Sequence, residues 1–203
     1  MSGTSEISLK ARRSRGNRRQ EILQTLASML EQEDFEKITT ARLASALDVS
    51  EAALYRNFRN KSAMFGALID FAEESLLGLA AQIQSRRDLD GVAQARALSD
   101  VMLEFAEANR GITRLLTGQA LVFEDPRLTA RITQLSAKLE LCLKQCFREA
   151  ILAGKLPADF NASGRAAAVM NCVMGSWVRF VLSGFKARPM LAGTAAFAPL
   201  FAD

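Results

Sequence analysis

With 203 residues, 49% of them apolar, and a net charge of only +4, the chain has the make-up of a folded globular protein, not of a disordered or fibrous one. It holds no histidine, which removes the commonest metal ligand and the commonest general base, and it shows no Gly-rich phosphate loop or nucleophile elbow. Catalytic residues, a metal site and a cofactor are therefore not expected, and Cys142, Cys146 and Cys172, odd in number and without CxxC spacing, are expected as reduced thiols.

Residues 1–16 read as a mobile basic arm. Within 1–19, Lys10, Arg12, Arg13, Arg15, Arg18 and Arg19 face the single acid Glu6. No apolar segment follows this start, so a secretory signal is not expected. The stretch 166–182 is interrupted by Asn171 and Arg179 and is short for a bilayer span, so a cytoplasmic protein is expected. A first helix is predicted over 17–32, with Ile22, Leu23, Leu26, Met29 and Leu30 on one face.

Residues 39–58 predict a helix-turn-helix. Thr39 and Thr40 suit the start of a short helix whose apolar stripe is Leu43, Ala44 and Leu47. Asp48 sits where the chain must reverse, and Asp tolerates the left-handed conformation better than most residues. Ser50 then caps a second helix with Leu54 and Phe58 inward, so that Glu51, Ala52, Tyr55 and Arg56 point elsewhere. From Ala53 to Ala63 there are Arg56, Arg59 and Lys61 and no acid. Cations beside a second helix are what phosphate neutralisation requires, so double-stranded DNA is the expected partner. Thr40, Ser50, Tyr55 and Lys61 are candidates for phosphate contact or positioning, Thr39 is a further DNA-binding candidate, and Arg18 and Arg19, at the end of the basic run, are candidates for contact with phosphates or a minor groove. Glu51, Ala52 and Arg56 are candidates for facing base edges. The expected organisation is the arm, a three-helix DNA-binding head over 17–62, and a helical dimerisation or regulatory domain over 63–203.

Long helices are predicted over 61–86 and 92–109, followed by a turn of helix at 113–116. Asp125-Pro126 signals another start, and Leu128, Ile132, Leu135, Leu139, Cys142 and Cys146 then carry heptad spacing to about residue 153. The last long helix, 161–186, is apolar nearly all round and rich in small residues, so it needs cover on every side. A partner subunit is the expected cover, with Ala167, Val173, Trp177 and Phe180 at a homodimer interface and part of 127–153 beside them. A short helix is expected around 194–200.

Tyr55, Phe58 and Lys61 at the end of the motif, with Ile22-Leu23 before it and Ala63-Met64-Phe65 after it, resemble the head of the TetR family of bacterial DNA-binding proteins. The resemblance implies an all-α homodimer of about nine helices per chain, with two recognition helices in successive major grooves of a palindrome. Outside the head, segments 116–124 and 180–189 are similar to a branch of that family that acts in cell division. Its members hold chromosomal sites and, when bound to DNA, antagonise assembly of the tubulin-like division GTPase FtsZ, keeping the septum off the nucleoid. That implies FtsZ as a partner, nucleoid association, possible higher-order assembly on DNA, and partner contacts on the fourth and fifth helices at Phe71, Leu79, Val101 and Asn109. The alternative is a ligand-responsive repressor, which a sizeable apolar pocket in the second domain would favour.

Overall fold

The computed structural model describes residues 18–32, 38–121, 124–192 and 194–201, so the basic arm lies outside the described residues. All secondary structure among the described residues is helical: α1 Arg18–Leu30, α2 Thr40–Ala46, α3 Glu51–Tyr55, α4 Lys61–Gln84, α5 Gly91–Ala108, α6 Arg110–Leu116, α7 Pro126–Leu152, α8 Ala162–Leu182 and α9 Pro189–Ala192. Short 3-10 turns occupy Gln119–Leu121 and Thr194–Phe201.

Capping chemistry sets most of the boundaries. The backbone N–H groups of Ala63 and Ala93 donate to Asn60 and Asp90 Oδ1 at 2.8 Å, and that of Gly164 donates to Asn161 Oδ1 at 2.9 Å. Pro126 opens α7 where its missing N–H is of no consequence. Gly154, with φ of 68°, follows the end of α7. Helix α8 stops four residues short of the sequence expectation. Gly184 and Phe185 both take positive φ, 62° and 64°, and the Phe185 N–H donates back to the Phe180 carbonyl at 2.9 Å. This reversal buries the Phe185 ring edge-on to Phe180, centroids 5.2 Å apart, and that aromatic contact offsets a backbone geometry normally left to glycine.

The chain divides into two compact units that interleave along the sequence: residues 1–72 with 108–132, and 73–107 with 133–203. The head expected over 17–62 falls within the first unit. The first unit extends beyond the head because α6 packs on α1. Gly111 lies so close to Ala27 that a Cβ there would stand 2.0 Å from the Ala27 carbonyl oxygen. Three residues on, the buried Arg114 donates to the carbonyls of Leu30 and Gln32 at 2.6 and 2.7 Å, satisfying acceptors that the end of α1 leaves open. Burial draws its pKa below the ordinary guanidinium value.

In the second unit the heptad stripe of α7 faces its own chain, with Leu135, Leu139 and Cys146 all buried. Gly91 permits the contact: a Cβ there would be 2.1 Å from the Cys146 carbonyl oxygen. Gln84 Nε2 donates to the Cys142 carbonyl at 3.2 Å, and Phe147 packs against Phe160 and Phe201, with centroids 5.7 and 6.3 Å away. Of the thiols, Cys146 is buried and pushed up to about 11 by desolvation, which leaves it unreactive, while Cys142 and Cys172 are half-buried. No helix among the described residues is long and apolar enough to cross a membrane.

Candidate nucleic-acid interface

The helix-turn-helix forms at the predicted caps. Thr39 Oγ1 accepts from the Arg42 N–H at 3.2 Å and Ser50 Oγ accepts from the Ala53 N–H at 3.3 Å. Between the helices Asp48 adopts φ of 51°, the left-handed geometry expected of it, and the Val49 N–H donates to the Ala44 carbonyl at 3.0 Å. Leu43, Ala44, Leu54 and Phe58 are buried, which turns the opposite sides of α2 and α3 outward.

That outward face carries Thr39, Arg42, Ser50, Glu51, Ala52, Tyr55, Arg56 and Arg59, all exposed, with Thr40 half-buried among them. Tyr55 is 45% exposed and presents its ring and hydroxyl on this face. Thr40 Oγ1 donates to Glu51 Oε2, joining the first residues of the two helices. Arg42 was not singled out from sequence, and Arg59 only as one of the cations of its stretch. Arg59 lies in the acid-free stretch, and Arg42 precedes two buried residues, so helical spacing alone could have placed both outward.

Three of the candidate DNA contacts have partners within their own chain. Lys61 Nζ donates to the Ile38 carbonyl at 3.0 Å and pairs with the Glu124 carboxylate, so its charge serves the fold of the first unit. The Arg19 guanidinium lies 4.1 Å over the Phe58 ring and donates to the Asn57 carbonyl at 3.0 Å, bracing the segment after α3. Arg18 forms an exposed ion pair with Glu21 at 2.8 Å on its own helix, a weak contact that a phosphate can replace.

The residues expected at the dimer and partner surfaces lie mostly inside the protomer. Val173, Trp177 and Phe180 lie in the protomer's own core, and the Trp177 indole N–H donates to the Met102 carbonyl at 3.1 Å. Only Ala167 of that set is even half-exposed. The all-round apolar character of α8 is met inside the second unit on one side, leaving Gly164, Asn171, Gly175 and Leu182 on the open side. Phe71 and Asn109 are likewise buried, at 7% and 4% exposure, and offer nothing to a docking protein; Leu79 and Val101 are half-buried. An open cleft of about 550 Å³ in the second unit is lined by the polar side chains of Gln84, Arg86, Asp90, Gln94 and Glu149 together with the apolar Leu89 and Ala153.

Residues 22–68 match the family model described as bacterial regulatory proteins, tetR family, and residues 90–201 match a tetracyclin repressor-like, C-terminal domain of the SlmA-like kind. The chain is 48% identical over 176 residues to the nucleoid occlusion factor SlmA of Vibrio cholerae, covering 85% of this chain and 88% of that one. It is 45% identical over 174 residues to the nucleoid occlusion factor SlmA of Aliivibrio fischeri, with 85% and 88% coverage. Solved structures share the fold at low identity. The fatty acid degradation regulator FadR from Bacillus halodurans superposes with a TM-score of 0.74 at 14% identity over 94% of this chain and 97% of that one. The regulatory protein TetR from Rhodobacter sphaeroides gives 0.71 at 21% identity over 90% and 98%.

Proposed function

Because the chain belongs to the TetR family, and within it to the group of nucleoid occlusion factors SlmA, we propose that it binds specific double-stranded chromosomal sites as a homodimer and there restrains FtsZ assembly over the nucleoid. The observation that carries the reading is the outward face of α2 and α3, where Tyr55, Arg56 and Arg59 stand exposed on a doubly capped helix-turn-helix. Arg42 and Arg59 take the phosphate role first expected of Lys61, and Arg56 and Ala52 face base edges. Arg56→Ala is expected to weaken specific binding by about 1–3 kcal/mol if the guanidinium reads a guanine bidentately. Footprinting across the source genome should return a preferred palindrome, and binding without preference would overturn the reading. The FtsZ arm is read by light scattering of polymers made with GTP. Operator DNA should increase their disassembly, since coupling between two ligands is reciprocal; polymers that persist unchanged with DNA binding intact would instead favour the ligand-responsive repressor.

The dimer face follows from what the second unit leaves open. Leu141 on α7 and Leu182 on α8 are 60% and 72% exposed, and a Cβ at Gly175 meets nothing within 4 Å, so backbones can approach closely there. Leu141→Glu and Gly175→Glu are expected to leave the protomer folded, because neither side chain meets its own core, yet to yield monomers. A charge desolvated without a partner at an interface costs several kcal/mol. Sedimentation velocity gives the answer directly, and an intact dimer in both variants rules out this face.

A further inference from the structure

Glu51 stands out on the proposed DNA face, because a carboxylate is the one group there that a polyanion repels. It is exposed at the first residue of α3, with no other acid on that helix, and the exposed cations Arg42, Arg56 and Arg59 share the two helices and the segment that follows. The Thr40 hydroxyl, at the first residue of α2, donates to its Oε2. That contact restrains the carboxylate and leaves Oε1 to accept hydrogen bonds. A carboxylate is acceptor-only, so in a major groove it is satisfied by a base that presents an amino donor, cytosine through N4 or adenine through N6, and of the two adenine sets the acceptor N7 beside its amino group, which repels a carboxylate and leaves cytosine the better match. Thymine O4 and guanine O6 and N7 present acceptors and would meet it with repulsion.

Resting on the DNA-binding reading above, we infer that Glu51, held by Thr40, is a specificity-determining residue that selects a cytosine through its N4 amino group at one position in each half-site. Its effect is as much exclusion as attraction. Half-sites that place thymine or guanine against Glu51 leave the carboxylate desolvated and unpaired against acceptors, so random DNA is bound less well than the basic surface alone would allow. The competing account is purely structural: an acid in the first turn favours the helix dipole of α3, and its bond to Thr40 ties α2 to α3. That account predicts a change in melting temperature and no change in base preference.

The test selects preferred sites from a randomised palindromic pool with the full-length wild type, Glu51→Gln and Thr40→Val. A glutamine amide both accepts and donates, so Glu51→Gln should tolerate thymine where the wild type demands cytosine. The wild type should prefer C·G over T·A at that position roughly fivefold to tenfold, a modest share of the discrimination a good base contact provides, and Glu51→Gln should lose most of that preference. Its affinity for random DNA should rise. Thr40→Val should relax the same position by less, since the carboxylate remains but is no longer restrained. Identical selected sequences for the wild type and Glu51→Gln would overturn the inference while leaving DNA binding intact. A wild type that enriches no site at all would overturn the DNA-binding reading itself, so the two failures are distinguishable. Circular dichroism melts of the same proteins exclude unfolding as the source of any change.

Discussion

Gly111→Ala is expected to destabilise the first unit by about 3 kcal/mol, near the upper end for overpacking, and to reduce DNA binding with it. The added methyl would stand 2.0 Å from the Ala27 carbonyl oxygen, 2.9 Å from its carbon and 3.0 Å from Leu30 Cβ. Two of these three atoms are backbone, so no rotamer change relieves the clash; α6 must move away from α1. That movement lengthens the bonds from Arg114 to the Leu30 and Gln32 carbonyls, now 2.6 and 2.7 Å, and exposes the last turn of the helix that supports the helix-turn-helix. Gly78→Ala is the matched control. Nothing lies within 4 Å of a Cβ at Gly78 in the middle of α4, so the same chemical change should stabilise by about 0.5–1 kcal/mol through chain entropy. Urea titrations followed by far-UV circular dichroism give both values. A Gly111→Ala midpoint equal to that of the wild type would contradict the close approach of α1 and α6.

Lys61→Met should cost about 3–5 kcal/mol of folding free energy, as expected when one partner of a buried ion pair is removed. The Glu124 side chain is 8% exposed and that of Lys61 21%, so deleting the ammonium leaves a carboxylate almost fully desolvated. The Ile38 carbonyl, which accepts from Lys61 Nζ at 3.0 Å, also loses its donor. Glu124→Gln should cost less, about 1–2 kcal/mol, because the amide oxygen still accepts from Lys61 and the ammonium keeps Ile38. A double-mutant cycle separates the pair from the individual losses. The same variants decide between the two roles considered for this lysine. A phosphate contact predicts weaker DNA binding and a shallower salt dependence at unchanged melting temperature, whereas the internal pair predicts a lower melting temperature.

The amino-acid sequence alone determined what depends on local chemistry. Thr39 and Ser50 act as caps because a short hydroxyl next to a helix start accepts the nearest free N–H, and Asp48 enters the left-handed region because no bulkier residue does so cheaply. One-turn spacing was enough to turn Leu54 and Phe58 inward and Tyr55 and Arg56 outward. The family could be read from the same residues, because that motif is local. What the sequence could not determine was which apolar side chains meet their own chain and which wait for another. Hydrophobic periodicity is the same for both, so Val173, Trp177 and Phe180 suited an interface as well as a core until α5 was found supplying the Met102 carbonyl to the indole. The heptad stripe of α7 was ambiguous for the same reason, and only the close approach at Gly91 turns it inward. Charge was equally undetermined. Lys61 and Glu124 stand 63 positions apart, and no pattern along the chain announces that a basic residue beside a recognition helix is neutralised by a carboxylate from a distant segment. Such pairings arise from non-local chain closure, and only the tertiary structure decides them.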